Sequence, residues 1–458
     1  MNTQSLMTAL TVSILAAGPA LPEQAIPQLP LGSQAAVPGA VTSAPPPLTL
    51  TQAIQLAIQN NLTDKLAKAS TEQARGAAIQ SAAGLLPHIM GTVSQSRVFK
   101  INLAAEGFPS NITLFPEVLG PYDVFDARIS LVQNILDFSV IFKAQAGAAA
   151  RHVAELQERL AREQVATAAA LAYFEAQRTT RAVSAAQADL QLAQSLLKLT
   201  RDQHQAGVST GVDVARSETS EAQENLRLIR AQVSAQNADI RLKRVVGLPL
   251  DQPVSLPDLP RTPVSELPAP KKAIGQATHD RAEMQVASEA YQASIYNYRS
   301  AEAGHLPTLV AMADYGFSGN TPDSTARTGS IGGRLDLPIF EGGEIHGRAV
   351  EAQGMRDEYE SRYNDVRAQI EEDVRLALQN LTAEIQETQT ADQAVTLAQT
   401  ELKMARDRYG AGVGDNIQLL TAQDVLDRAL DDQVDAVARY DTARVNLATA
   451  LGQMETFH

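Results

Sequence analysis

Apolar residues recur at two periods along this chain of 458 residues, and the period changes at matching points in its two halves. Over 49–84 and 269–303 they stand three and four apart, as Leu50, Ile54 and Ala57 do, which predicts one amphipathic helix of about 36 residues in each half. Pro87 and Pro307 end these helices, because proline disfavours helix in the residue before it. The period then falls to two. Ala127, Ile129 and Leu131 alternate with Asp126, Arg128 and Ser130. Leu309, Ala311, Ala313, Tyr315 and Phe317 share one face, with Asp314 on the other. Ile331, Gly333, Leu335, Leu337 and Ile339 alternate with Ser330, Gly332, Arg334 and Asp336. Two strands are expected in 86–138 and two in 306–341. Helical periodicity resumes over 139–206 and 343–410 without an internal proline, each stretch long enough for roughly 100 Å of helix. Such a helix outgrows a compact domain, and a coiled-coil array is the packing it requires. Returning helices are expected at 213–247 and 416–452.

The two halves are copies. "AGLLPH" at 83–88 returns as "AGHLPT" at 303–308, and Ala53, Ile54 and Ala57 return as Ala273, Ile274 and Ala277. "RDQHQAGV" from Arg201 answers "RDRYGAGV" from Arg406, and Gly247 answers Gly452. The first copy is longer, and the extra residues belong in a loop at 104–122 whose counterpart is 318–328. The organisation is then an export signal at 1–20, a flexible Pro/Ala-rich tether at 21–47, a first repeat at 48–252, a proline-rich connector at 253–267, a second repeat at 268–452 and a tail at 453–458. The signal has an apolar stretch from Leu6 to Ala17 but no Lys or Arg before Lys65.

Composition narrows the class. Cysteine is absent, which excludes a disulfide framework, a thiolate metal site, a cysteine nucleophile and a lipidated cysteine. Tryptophan is absent and aromatics make up 4%, so closely packed alanine-rich helices suit the chain better than a thick globular core. A net charge of −14 opposes a phosphate-binding surface, and no nucleic-acid partner is expected. The seven histidines form no i, i+4 pair, "GSIGG" at 329–333 lacks a phosphate-loop lysine, and "ERLARE" at 158–163 reads as a solvated helix face. No catalytic, cofactor or metal site can be assembled. No apolar run reaches the ~20 residues of a membrane helix, so a membrane crossing would have to use strands. Their alternation suits a soluble antiparallel sheet and a membrane barrel alike. Helices at both ends favour the barrel, and four strands cannot enclose a lumen unless several chains share one.

Taken together, "LTLTQAIQLAIQNNL" (48–62), "LDLPIFEGGEIHGRAVEA" (335–352), the two tips and the tandem order resemble the TolC-like outer membrane factors of efflux pumps and type I secretion systems. The resemblance implies a mainly α, tandem-repeat trimeric channel in the outer membrane of a Gram-negative bacterium. A shared twelve-stranded β-barrel would continue into a long periplasmic α-barrel. Its partners would be two further copies of itself, outer membrane lipid, a periplasmic adaptor and, indirectly, an inner membrane transporter. The tips would lie side by side at the periplasmic end, where Ala206, Gly207, Val208, Thr210, Ala411, Gly412, Val413 and Asp415 would meet the adaptor. Asp213 and Tyr409 fall where the family has a carboxylate and a tyrosine that lock the closed state. The family's acidic pore constriction falls on Gln418 and Thr421, and its tip arginine on Gly414, so charge is missing from both places. The corner "FEGGE" (340–344) has no glycine in its first-repeat counterpart "LDFSV", where Asn134 also replaces Pro338. The leading function is the exit duct of a tripartite efflux pump. The alternatives are a type I secretion outlet and, in a different class, a soluble periplasmic coiled-coil scaffold.

Overall fold

A computed structural model describes residues 47–102, 118–257 and 267–457. The expected signal at 1–20, the tether up to residue 46, most of the 104–122 loop and connector residues 258–266 lie outside the described residues.

Each expected opening helix is two. The first repeat has α1 (Leu50–Asn60) and α2 (Leu62–Ala83), and the second has α5 (Pro270–Asp280) and α6 (Ala282–Glu302). Asn61 and Arg281 take extended backbone at equivalent places, with ψ 140° and 130°. Asn61 restarts the helix by accepting from the Thr63 amide at 2.8 Å, while its own amide group donates to the Val245 carbonyl at 3.4 Å. Arg281 is held by Glu283 at 3.2 Å and Asp373 at 2.7 Å. Each break thus joins a local contact to one 184 or 92 residues distant, the Val245 carbonyl and the Asp373 carboxylate, and helical periodicity passes straight through both.

Between the helices run β1 (His88–Val98), β2 (Ile101–Asn102), β3 (Val118–Leu119), β4 (Tyr122–Leu136), β5 (Thr308–Gly319) and β6 (Thr325–Asp336). β2 and β3 pair as a short ribbon, and the other four form one antiparallel sheet in the order β1-β4-β5-β6. The central pairing, β4 with β5, joins the two repeats. Its register aligns Ala127 with Phe317, Ile129 with Tyr315 and Leu131 with Ala313. β1 adds Ile89 and Val93 to that row, and β6 adds Ile331 and Leu335. The opposite face carries Arg128, which pairs with Asp126 and reaches Asp314 at 3.3 Å, while the Ser330 hydroxyl donates to Asp314. One face is thus an exposed apolar sheet, with Ile331 90% and Val93 74% accessible, and the other is a charged hydrogen-bonded network.

The strands turn into the long helices α3 (Phe138–Gln205) and α7 (Glu344–Gly410) by different chemistry. Asp137 caps α3, accepting from the amides of Ser139 and Val140, and Asn134 donates to the Gly84 carbonyl at 2.9 Å. At the α7 corner the turn rests on Gly342 and Gly343, at φ +61° and +89°, with no side-chain cap. α4 (Gly211–Val246) and α8 (Asn416–Ala450) return antiparallel to α3 and α7. At their far ends Gly247 and Gly452 are left-handed caps at φ +78° and +70°.

Two equivalent cores sit where the short helices meet the long ones. In the first, Ala53 and Ala57 pack with Tyr173, Leu242 and Val246, and in the second Ala273 and Ala277 pack with Ile370, Val374 and Leu381. All four alanines are fully buried, and so small a side chain lets the helix axes approach closely. The expected tail is part of the first core, since Met454 is 1% exposed. Tyr173 is wholly buried and donates to the Leu48 carbonyl at 3.0 Å, and desolvation pushes its phenol up to about 12. Tyr173→Phe is expected to lower stability by about 1 kcal/mol and Tyr173→Ala by roughly 3–5 kcal/mol. Thermal unfolding followed by circular dichroism checks both.

Candidate functional site

The two hairpin ends are built alike. α3 closes at Ala206, Gly207 takes φ +78°, and the amides of Gly207 and Val208 donate back to the carbonyls of His204 and Gln203 at 3.0 and 2.9 Å. α7 closes at Ala411, Gly412 takes φ +73°, and the amides of Gly412 and Val413 donate to the carbonyls of Tyr409 and Arg408 at 3.0 and 3.1 Å. Both are Schellman motifs, in which a left-handed residue lets the chain reverse while satisfying the last helix carbonyls. Val208 and Val413 then point into solvent, 61% and 72% exposed. The restarts differ. Thr210 and Asp213 form a reciprocal capping box on α4, whereas Asp415 alone caps α8, accepting from the Ile417 amide at 3.1 Å.

The tips lie side by side and are joined by two side chains. Gln203 donates from Nε2 to the Tyr409 carbonyl at 2.7 Å, and Asn416 donates from Nδ2 to the Asp213 carbonyl at 3.2 Å. The structure does not join the Asp213 carboxylate to the Tyr409 phenol within one chain. The carboxylate accepts from the Thr210 hydroxyl and amide at 2.7 and 2.9 Å, which hold it below the usual range, and Arg216 stands 3.7 Å away. The Tyr409 hydroxyl is buried with no hydrogen-bond partner among the described residues. The two positions expected to form the lock are both in the link, through their main-chain carbonyls. Sequence reading missed Gln203 and Asn416. The available signal was a long amide side chain in the last turn of one helix and the first turn of another.

Gly414, where the resembling family has arginine, is sterically committed. A Cβ there would sit 2.8 Å from the Tyr409 nitrogen and 3.0 Å from the Arg408 carbonyl carbon. Gln418 and Thr421 are exposed on one side of α8, with Asp424 continuing the same stripe, while Leu419 and Ala422 face the core.

Above the tips an apolar patch of Leu196, Leu402, Leu419 and Leu426 packs between the coils. It gives way to a buried polar seam. Gln423 and Asp427 are 1% and 5% exposed, and neither finds a hydrogen-bond partner for its side-chain oxygens among the ordinary donors. Among the described residues no group of His, Asp and Glu has metal-holding geometry, and no helix is long and apolar enough to cross a membrane.

Known proteins match over most of the chain. The family model described as outer membrane efflux protein matches residues 53–248 and 273–453, one segment in each repeat. The pyoverdine export outer membrane protein OpmQ of Pseudomonas putida is 25% identical over 414 residues, covering 88% of this chain and 85% of that protein. The alkaline protease secretion protein AprF of Pseudomonas aeruginosa is 25% identical over 345 residues, covering 73% and 71%. The solved outer membrane protein VceC of Vibrio cholerae superposes with a TM-score of 0.78 at 22% identity, covering 88% of this chain and 96% of that one.

The two kinds of tip glycine should respond differently to a methyl group. Gly207 has open space around its Cβ position, so Gly207→Ala carries only the left-handed backbone cost of roughly 1–2 kcal/mol. Gly414→Ala must displace backbone, at about 1–3 kcal/mol, and loosens the last turn of α7. Trypsin is expected to cut after Arg408 faster in Gly414→Ala than in the parent, with Arg201 in Gly207→Ala less affected.

Proposed function

The chain belongs to the outer membrane efflux protein family, and from that membership we propose how its parts form a gated duct. It is an outer membrane channel protein, a passive conduit and not an enzyme. The soluble-scaffold alternative falls with that membership.

We propose that three copies assemble. The observation that carries this is the unfinished state of one subunit. Among the described residues, β1 and β6 are sheet edges without a further strand partner in the subunit. An edge left open in lipid exposes backbone groups that have no water to bond, so only a closed barrel is tolerated. Three copies supply twelve strands, enough to enclose a wet lumen. The apolar row of Val93, Ile129, Tyr315 and Ile331 then meets lipid, and the network of Arg128, Asp126 and Asp314 lines the lumen. The long helices are equally incomplete. α4 exposes Leu226, Ile229, Val233 and Ile240 at helical spacing, and α7 exposes Leu376, Leu397 and Met404. Neighbouring subunits covering these stripes would complete an α-barrel through the periplasm.

The periplasmic adaptor would dock on the tips, at Ala206, Gly207, Val208 and Thr210 of one and Ala411, Gly412, Val413 and Asp415 of the other. Both tips reverse through the same hydrogen-bonded turn and carry an exposed valine at the same place, a repeated surface suited to a repeated partner. The inner membrane transporter would act through that adaptor. Gln418 and Thr421 would line a neutral constriction. Cargo stays open between small-molecule efflux and type I protein secretion. The name of OpmQ speaks of pyoverdine export and that of AprF of protease secretion, and this chain is 25% identical to each, over 414 and 345 residues.

Purified in detergent, the protein is expected to run as a trimer and to conduct ions in a planar bilayer. A non-conducting monomer, stable in plain buffer, would overturn the assembly. The gate has its own signature. Gln203→Ala and Asn416→Ala each remove one tip-to-tip hydrogen bond of about 1 kcal/mol, so each should raise the open fraction about fivefold. Tyr409→Phe removes a hydroxyl with no partner and should leave it unchanged. Single-channel recording of the three variants distinguishes main-chain links from a side-chain lock.

A further inference from the structure

About 20 Å above the tips, at 1.5 Å of rise per residue, three helices of one subunit bring four carboxyl groups around one guanidinium. α3 supplies Asp189, α4 supplies Glu224 and Arg227, and α8 supplies Asp427 and Asp431. Arg227 reaches Asp431 at 2.5 Å, Asp189 at 3.2 Å and Glu224 at 3.4 Å. Asp427 receives no cation of its own. It lies beside Asp189, close enough for each carboxyl to act on the other, and the two are 5% and 2% exposed. α7, packed on the other side of α8, places no charged group among those acting on either.

Two ionised carboxylates buried side by side repel, and neither can donate to the other. Among the described residues both oxygens of Asp427 lack a hydrogen-bond donor, and Asp189 is met by Arg227 at 3.2 Å. A proton held between them removes both difficulties at once, as in carboxyl pairs that share a site. The arrangement does not serve a metal, because these groups have no metal-holding geometry.

We propose that Asp189 and Asp427 form a proton-dependent clasp between the two coiled coils of each subunit, closed when they share a proton and weakened when both ionise. The clasp is internal to the subunit; its effect on conduction rests on the tip-gating reading above. Burial is the main cause pushing both acids above the ordinary carboxyl value of 3.8, Asp189 to about 6 and Asp427 to about 8. Joined coils therefore keep the full contribution of the pair in acid and lose it as pH rises through that range. The surroundings suit a contact made to separate. Gln423, on the same side of α8, is buried with both its side-chain polar atoms unpartnered among the described residues, so it adds no hydrogen bond that separation would break.

The absence of native cysteine allows clean labelling. Nitroxides at Thr219→Cys on α4 and Lys403→Cys on α7, both exposed, put one probe on each coiled coil. The labelled chain would be diluted into unlabelled chain, so that each trimer carries one labelled subunit. Electron–electron double resonance should show the distance between the coils lengthening or broadening as pH rises from 5 to 9. Asp427→Asn, whose amide can donate to Asp189 at any pH, should keep the acid-pH distance throughout. Asp189→Asn serves the same purpose if that variant does not assemble. Infrared spectra near neutral pH should contain the C=O stretch of a protonated buried carboxyl, lost in Asp427→Asn. A parent distance that ignores pH, an Asp427→Asn response equal to the parent's, or no such band would overturn the clasp. A distance that responds while conductance does not would support the clasp and count against the tip gate.

Discussion

The pairing of β4 with β5 is the contact on which the rest of the molecule depends. Among the described residues it is the one strand pairing that crosses from the first repeat to the second, and it fixes them in a single sheet with one apolar and one charged face. A slip of one residue would exchange those faces, placing Arg128 and Asp314 where Ile129 and Tyr315 now stand. In lipid such a slip is prohibitive. The helices inherit their positions from this sheet, because α3 leaves the end of β4 and α6 runs into the start of β5. Far from the membrane, the adjacency of the two tips extends that register by the full length of α3 and α7.

The two repeats reach equivalent geometry with different residues. A left-handed glycine pair starts α7, while an aspartate cap starts α3. Asn61 breaks the first opening helix through its own cap, and Arg281 breaks the second through two ion pairs. Where a solution depends on positive φ at a reversal, as at Gly207 and Gly412, both repeats keep glycine. The backbone requirement is common to both copies, and the side chains that meet it have been free to diverge wherever more than one type can do so.

Adhesion between the coils changes along their length. Alanines and large aliphatic residues hold the upper cores dry, whereas the seam near the tips mixes leucine with buried amides and carboxyls. Dry contacts resist separation because apolar area would return to water. A polar seam exchanges one set of hydrogen bonds for another at small net cost. A gate at the tips, as proposed, would part this polar seam and leave the upper cores and the sheet in place.

The sequence alone determined the tandem repeat, the alternation of the strands, the long helices and the place of both tips. All of these follow from local rules, the period of side chains along a helix or strand and the backbone freedom of glycine, which operate within a few residues. Tertiary structure decided what depends on residues far apart in the chain. It split the opening helices at Asn61 and Arg281, linked the tips through Gln203 and Asn416, and set Asp189 beside Asp427. It also gave Asp213 to Thr210, leaving the Tyr409 phenol alone. No period records which side chain will stand opposite another two hundred residues away, because that is settled only when packed helices bring particular polar groups together out of water.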